Sequence, residues 1–232
     1  MTTRLVKHQK LTKRQIKEDP LVTAAFRSTA LWEQYGTRVL IGLGAVALVA
    51  LLAFFVGRSR AQSEERATGD LFRARMSLAQ RDYPTAVQML KEIVDNAPGT
   101  NAARSAMHFL GDAYAVQGKQ TDAVTWYRKY LDKVGGNPDA KSAGLHGLAA
   151  ALEDHGDFQQ AATTYGELAK LAINDTDRGR VMLAEARCYS RAGQSQKAIE
   201  IYKAVAQLPV TDQTVRYSAG VAMGELSATS AH

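Results

Sequence analysis

The feature that most constrains this chain is an uninterrupted apolar stretch, Val39–Gly57, which has no charged, amide or hydroxyl side chain. As an α-helix, its nineteen residues would extend for about 28 Å, close to the roughly 30 Å hydrocarbon core of a bilayer. The stretch is longer than the apolar region of most signal peptides, and no A-x-A-like cleavage site follows it. We therefore predict an uncleaved transmembrane helix at residues 37–57.

The ends and the interior of this stretch carry residues that suit a membrane. Trp32 and Tyr35 precede it, and Phe54 and Phe55 lie near its other end, so their rings are expected at the headgroup level. Small side chains within the stretch would let another membrane helix approach closely. They belong to Gly42, Gly44, Ala47, Ala50, Ala53 and Gly57.

The residues before the stretch divide into two parts. Residues 1–19 are rich in Lys and Arg and poor in apolar side chains, which predicts a disordered segment that contacts anionic lipid headgroups. Asp19 is a good N-cap and Pro20 suits a first helical turn, so residues 20–36 are expected to form a short interfacial helix. Gly36 would then allow a bend into the membrane-crossing helix.

The distribution of charge predicts an orientation. The head, residues 1–38, holds eight Lys or Arg and three acids, whereas residues 58–232 hold 21 basic and 20 acidic side chains, so most of the net charge of +6 lies in the head. Short basic segments stay in the cytoplasm, while long domains cross the membrane largely regardless of their charge. We therefore predict a cytoplasmic N-terminus and an exported body. Five arginines between residues 58 and 75 favour the opposite orientation, which stays open.

The body repeats itself with a spacing of 37 or 38 residues. In each of four copies, an alanine follows an Arg or Gly by five positions and precedes a Leu or Tyr by four. Small residues let two antiparallel helices cross closely, and a large side chain then fills the gap to the next pair of helices. The four alanines are Ala86, Ala123, Ala161 and Ala198.

This pattern resembles the tetratricopeptide repeat, in which W-x2-L-G-x2-Y is followed by A-x3-F and a closing Pro over about 34 residues. Leu110, Gly111 and Tyr114 match the first part best, and Pro98 closes the first copy. The chain departs from the family pattern in its longer period, in its missing Trp column and in having one clear closing Pro. The resemblance implies an all-α solenoid of about four helical hairpins with a capping helix.

The repeat columns also give the expected boundaries. Residues 58–66 should form a helical connector, and residues 213–232 a capping helix with a tail. The four repeats are expected at residues 67–103, 104–141, 142–178 and 179–212. Their eight helices are expected at residues 67–80, 83–95, 104–117, 120–133, 140–154, 158–172, 178–192 and 195–207.

The first helix of each pair is expected to line a concave binding face. Three arginines at helical spacing, Arg180, Arg187 and Arg191, would suit an acidic peptide or a terminal carboxylate, since Arg can bind carboxylates bidentately. An ordinary charged helix face is the alternative. The other residues expected on the concave face are Arg75, His108, Asp112, His146, Glu153 and Asp154.

The sequence contains none of the common motifs for catalysis or for nucleotide binding. The histidines of the body also lack the i, i+4 pairing of a helical zinc site. A metal at the end of one helix is a weaker alternative, with ligands from His146, Glu153, Asp154 and His155. We therefore expect no enzyme activity, no cofactor and no metal, and neither a nucleic acid nor a small-molecule substrate as a partner.

The layout of a basic head, one membrane span and a repeat body resembles the ancillary subunit of the bacterial Sec translocon. The resemblance implies a single-pass protein of the bacterial inner membrane with a periplasmic repeat domain. It further implies a scaffold or accessory subunit that binds and stabilises an integral-membrane protein complex. Two alternatives remain open, a chaperone-like factor for exported clients at the translocon and a structural subunit of a respiratory or photosynthetic complex.

Overall fold

The computed structural model describes the backbone of residues 20–209 and 212–229. Within these ranges the regular elements are nine α-helices, and no strand occurs. The prediction of an all-α protein is confirmed for this part of the chain. The basic segment predicted at residues 1–19 lies outside the described residues, as do the side chains of Trp32 and Tyr35.

The first of two compact units comprises Met1–Ser59. Its described helix belongs to α1 (Pro20–Ala79), which has 60 residues. Among the described helices, α1 is the one that is long and apolar enough to cross a membrane, with a mean hydropathy of 2.9 and no buried residue in its most apolar window. Phe54 and Phe55, two of the residues predicted at a membrane boundary, are exposed within it.

Helix α1 passes through Gly36 without a break. The structure therefore shows one continuous helix in place of the short separate helix expected at residues 20–36. A glycine inside a helix costs only about 1 kcal/mol relative to alanine. The helix-forming residues on both sides of Gly36 outweigh this cost, so the helix continues through the glycine.

The second unit, Arg60–His232, is built from successive helical hairpins. The last turns of α1 pair with α2, α3 pairs with α4, α5 with α6 and α7 with α8, while α9 packs on α7 and α8. From the end of α1 onward, each helix boundary lies within about three residues of the expected one. The helices after α1 are α2 (Tyr83–Asn96), α3 (Asn101–Val116), α4 (Gln120–Leu131), α5 (Pro138–His155), α6 (Phe158–Ala169), α7 (Asp175–Arg191), α8 (Ser195–Gln207) and α9 (Gln213–Thr229).

The turn inside each hairpin contains a residue in the left-handed region. Gly118, Gly156 and Gly193 have φ angles of 73°, 94° and 76°, which glycine adopts without a steric penalty. In the first hairpin the same position holds Arg81, with φ at 62°. The column of Arg or Gly five residues before each repeat alanine therefore reflects a requirement of the backbone.

The alanine column of the repeats forms the centre of the helix crossings. Ala86, Ala123, Ala161 and Ala198 are all fully buried. The first helices supply a matching column of small buried residues, because two backbones approach closely only where the side chains between them are short. Its members are Ala74, Gly111, Ala149 and Ala186.

Helix α9 covers the end of the last hairpin. Its residues Val215 and Ala219 are buried in one cluster with Tyr202 and Val205 of α8. This packing removes apolar surface of the last hairpin from solvent, which is the role expected of a capping element in a repeat stack.

Tyr127 of α4 lies between two glycines that belong to different hairpins. A Cβ atom on Gly111, in its own hairpin, would lie 2.6 Å from the ring, and one on Gly147, in the next hairpin, would lie 2.4 Å from it. Both distances are well below a normal carbon–carbon contact of about 3.5 Å. The absence of a side chain at these two positions therefore allows the ring to join α3, α4 and α5.

We expect the substitution Gly147→Ala to lower the free energy of unfolding by about 1–2 kcal/mol, because displacing the Tyr127 ring costs more than the gain of about 1 kcal/mol in helix propensity. Chemical denaturation followed by circular dichroism measures this change. Gly136→Ala, in the turn before α5, is the control for a glycine with open space around it, since its Cβ would meet nothing within 4 Å. Equal stability of the two variants would contradict the close packing around Tyr127.

Glu64 of α1 ties the start of the repeat body to the second hairpin. Its carboxylate accepts hydrogen bonds from the backbone N–H groups of Asn101 at 2.7 Å and Ala102 at 3.1 Å, the first two residues of α3. The first N–H groups of a helix lack partners within that helix, and a negative charge there is favourable for the helix dipole. The predicted connector at residues 58–66 is thus partly held by the packed repeats.

Substituting Glu64 by Ala should speed amide hydrogen exchange at Asn101 and Ala102 by about five- to tenfold, which corresponds to the roughly 1 kcal/mol of a helix N-cap. Hydrogen exchange followed by mass spectrometry resolves this segment. Glu65→Ala is the control, because Glu65 is its exposed neighbour on the same helix. The tie would be refuted if both variants exchanged at the wild-type rate.

Candidate protein-interaction face

The first helices of successive hairpins lie side by side. Contacts join α3 to α5 and α7 to α9, so the exposed surfaces of these helices share one side of the repeat stack, which we call the inner face. The nine residues predicted for a binding face all lie on α1, α3, α5 or α7. The structure brings five of them together in two separate clusters.

The first cluster is centred on Glu153 of α5, and we call it the Glu153 cluster. Arg187 of α7 donates from Nε and Nη2 to the two carboxylate oxygens, at 3.0 Å each. Arg191, one helical turn later, donates from Nη1 at 3.4 Å, and the Tyr165 hydroxyl of α6 donates at 3.3 Å. Glu153 therefore joins the third hairpin to the fourth on the inner face.

Charge within the Glu153 cluster is only partly balanced. Burial raises the pKa of Glu153, but the hydrogen bonds and the charge of Arg187 outweigh it and hold the pKa below its usual value. Burial also raises the pKa of the neighbouring Cys188 thiol to about 12, so this cysteine remains protonated at neutral pH. Two guanidinium groups thus share one carboxylate, which leaves one positive charge in excess.

Arg191 is held in place by a second contact. Its guanidinium carbon lies 4.1 Å from the centre of the Phe158 ring, a distance at which a cation is attracted by the face of an aromatic ring. About half of the side chain remains exposed. The contact with Phe158 and the longer bond to Glu153 orient the guanidinium while leaving part of it accessible.

The predicted stripe of three arginines is divided in the structure. Arg180 binds Asp212 at 2.9 Å and lies 3.8 Å from Asp177, whereas Arg187 and Arg191 bind Glu153. All three arginines therefore have acidic partners within the chain. The sequence spacing showed their common helix face but not these acids, which are remote in sequence in the cases of Glu153 and Asp212.

The second cluster lies on α3 and α4 and consists of His108, Asp112 and Tyr127. The His108 Nδ1 atom lies 3.2 Å from one Asp112 oxygen, and the Tyr127 hydroxyl donates to the other oxygen at 2.6 Å. The imidazole ring also packs edge-on against Tyr127 and Tyr130, with centroids 5.6 Å and 5.0 Å away. This half-buried cluster reinforces the second hairpin and offers little open surface to a partner.

The interaction between His108 and Asp112 raises the pKa of His108 and lowers that of Asp112. The hydrogen bond to Asp112 raises the pKa of His108 above its ordinary value of 6.5, against the effect of burial. Burial raises the pKa of Asp112, but the hydrogen bonds from His108 and Tyr127 outweigh it, so this pKa lies below its ordinary value of 3.8. The charged pair is therefore the favoured form between these two values.

The other predicted residues join neither cluster. The Arg75 guanidinium of α1 lies 5.2 Å from the centre of the Phe109 ring on α3. His146 and Asp154 are exposed at different points of α5. Among the described residues, no three His, Cys, Asp or Glu side chains gather in a way that could hold a metal. Glu153, a ligand in the weaker metal alternative, faces arginines instead.

Sequence reasoning missed the tyrosine hydroxyls and Phe158. The columns identified Tyr127 and Tyr165 as large side chains that fill gaps, but not as hydrogen-bond donors to Asp112 and Glu153. A signal was present, because these positions hold Tyr where the repeat pattern has Phe, and a buried Tyr hydroxyl usually finds a polar partner. The contact of Phe158 with Arg191 had no comparable signal, since it joins two hairpins.

Comparisons with known proteins agree with this architecture. A sequence profile described as Tetratricopeptide repeat matches residues 73–138 and 146–209, more than half of the chain. No curated protein matches the sequence.

Solved structures show the same fold at low sequence identity. The kinesin light chain nearly identical TPR-like repeats of Podosopora anserina align with a TM-score of 0.56 and 18% identity, over 70% of this chain and 86% of that chain. The MamA RS-1 ArsTM double mutant aligns with a TM-score of 0.52 and 17% identity, over 71% and 96% of the two chains. At such identities the likeness concerns the fold alone.

The second cluster should make stability depend on pH. A raised His108 pKa stabilises the fold fully below about pH 6.5, and this contribution is lost as the pH rises through the raised value. The depressed Asp112 pKa stabilises it above about pH 3.8, with loss on further acidification. Between pH 6 and pH 8 the thermal midpoint should therefore fall more in the wild type than in His108→Gln, by about 2–4 °C for each kcal/mol lost.

Thermal melts followed by circular dichroism at the two pH values measure this difference. His146→Gln serves as the control, because His146 is exposed on α5 and lies in neither cluster. If the wild type and His108→Gln lost the same number of degrees between the two pH values, the His108–Asp112 pair would not be a stabilising ion pair.

Proposed function

We propose that this chain, which belongs to the tetratricopeptide repeat family, is a membrane-anchored, non-enzymatic scaffold that acts as an accessory subunit of an integral-membrane protein complex. Repeat stacks of this kind present extended surfaces for binding other proteins. One observation carries the proposal. The same chain contains such a stack and a helix whose most apolar segment is entirely exposed. A scaffold confined to a bilayer explains both features.

The composition of α1 supports the proposed anchor. Each Leu, Ile, Val or Phe near the centre of a membrane helix favours insertion by about 0.3–0.6 kcal/mol, and eleven such residues between residues 40 and 56 are exposed. The same surface in water would be an aggregation liability. We place the helix in a bacterial inner membrane with the repeats on the periplasmic side, where anchoring raises the effective concentration of the repeats near membrane partners.

Arg191 is the residue of the inner face best suited to contact a partner. Arg187 already makes a bidentate bond with Glu153, whereas Arg191 makes one longer bond to the same group. An arginine has five N–H donors, and the Phe158 contact orients this one beforehand. An acidic segment or a terminal carboxylate of the partner would bind here and balance the positive charge in excess.

Two kinds of complex suit this scaffold. One is the translocon, where the chain would handle exported clients in a chaperone-like way. The other is an energy-transducing complex, respiratory or photosynthetic, in which the chain would stabilise neighbouring subunits without holding a cofactor. A stable subunit remains bound in fixed stoichiometry after detergent extraction and washing, whereas a chaperone-like factor is lost.

Crosslinking in native membranes, followed by mass spectrometry, tests the proposal. We expect crosslinks from the apolar helix and from the fourth hairpin to the same membrane complex. Arg191→Ala should weaken capture of this complex about tenfold, equivalent to roughly 1.4 kcal/mol, because a charge-assisted contact is lost. Arg128→Ala is the matched control, since Arg128 lies on α4, a second helix, and binds Gln160 at 2.8 Å.

Each element of the proposal has an outcome that opposes it. If neither the apolar helix nor the fourth hairpin gave reproducible crosslinks, the proposal that the chain is a scaffold would be contradicted. If the Arg191 and Arg128 variants captured the complex equally well, the proposed contact between Arg191 and an acidic group would be contradicted, but the proposed anchor would not be affected. Digestion of the repeats by protease in inverted vesicles, and not in spheroplasts, would reverse the orientation.

A further inference from the structure

The junction between the second and third hairpins shows how two adjacent hairpins can pack. In α5, the junction with the preceding hairpin uses Gly144 and Gly147. A Cβ atom on Gly144 would lie 2.7 Å from atoms of Tyr130 and Leu131, and Gly147 faces Tyr127. This junction joins the second helix of one hairpin to small positions on the first helix of the next.

The first hairpin carries the corresponding surface, and no hairpin precedes it within the described residues. Steps of 37 or 38 residues back along the repeat columns lead from Gly144, Gly147 and Ala151 to Gly69, Phe72 and Met76 of α1. The corresponding positions of later hairpins are buried or half-buried, but Phe72 is 64% exposed and Met76 is 47% exposed. We call Gly69, Phe72 and Met76 the leading face.

The other end of the stack carries a second apolar surface. One side of α9 is buried on α7 and α8, but Tyr217 on the other side is 74% exposed and Val221 is 42% exposed. Gly220 and Gly224 are exposed beside them, and a Cβ atom on either would meet nothing within 4 Å. Capping elements of repeat stacks normally have a polar outer side. We call Tyr217, Gly220, Val221 and Gly224 the trailing face.

The two faces complement each other as adjacent hairpins do. Tyr217 and Val221 have the same i, i+4 spacing as Tyr127 and Leu131 of α4, which pack on the glycines of α5. Gly69 on the leading face offers the matching space, since nothing lies within 4 Å of its Cβ position. In the reverse direction, Phe72 and Met76 project from the leading face, and Gly220 and Gly224 leave room for them.

We propose that copies of this chain associate head to tail, with the leading face of one copy packed on the trailing face of the next. The contact is analogous to the junction between the second and third hairpins, with α9 in the place of α4. Both faces belong to the same chain and each supplies what the other lacks, which favours a second copy over an unrelated partner. Such a heterologous contact extends to further copies, as a ring where the rotation between copies closes and as a filament where it does not. It is independent of the anchor and of the partner at Arg191.

Size-exclusion chromatography with light scattering on the full chain in detergent tests the proposal. Phe72→Glu blocks the leading face and Tyr217→Glu blocks the trailing face, and we expect each to raise the dissociation constant for self-association at least about tenfold. The matched control is Ile173→Glu, an exposed isoleucine between α6 and α7, which should associate like the wild type. Circular dichroism checks that all variants keep their helical content.

Mixing the two blocked variants gives the decisive result. Phe72→Glu keeps an intact trailing face and Tyr217→Glu keeps an intact leading face, so an equimolar mixture should form dimers and no longer species. A monomeric wild type would overturn the proposal, as would a mixture that stays monomeric. Association that survives both substitutions would place the contact elsewhere, for example in the apolar part of α1. Loss of association in Phe72→Glu alone would indicate contact between two leading faces.

Discussion

The close crossing of two helices at a buried alanine is the contact on which the repeat stack depends. These alanines and the small residues opposite them keep the helix backbones near each other, and large side chains fill the spaces beside each crossing. Tyr127 occupies one such space and meets Gly111 on one side and Gly147 on the other. The small residues thus fix the distance within a hairpin, and the tyrosine fixes the distance to the next hairpin.

Polar groups inside these junctions determine which charges remain available on the inner face. A buried hydroxyl is costly without a partner, and the hydroxyls of Tyr127 and Tyr165 are satisfied by Asp112 and Glu153. Glu153 is in turn bound by Arg187 and Arg191. Charged residues predicted to form a binding surface therefore also hold the third and fourth hairpins together. Arg191 makes fewer hydrogen bonds to Glu153 than Arg187 does, so it keeps more N–H donors for a partner.

The same junction chemistry explains why the ends of the stack matter. An interior hairpin has both of its apolar sides covered, but the leading and trailing faces keep Phe72 and Tyr217 in contact with solvent. At the trailing end α9 covers the last hairpin while presenting further apolar surface of its own. At the leading end Glu64 secures α1 to α3 without covering Phe72. The packing of large apolar side chains against small residues thus stabilises the chain and is also the contact proposed between chains.

The sequence by itself determined the all-α class, the number of hairpins and the positions of their helices, because these follow from local periodicity and from glycine at left-handed turns. It also showed the apolar helix, since length and composition alone define it. It did not determine that α1 runs unbroken through Gly36, where neighbouring residues outweigh a single glycine. The partners of the arginines and tyrosines were decided only by the tertiary structure. Glu153 and Arg187 lie 34 residues apart in sequence, and only the stacking of hairpins brings their side chains within hydrogen-bonding distance.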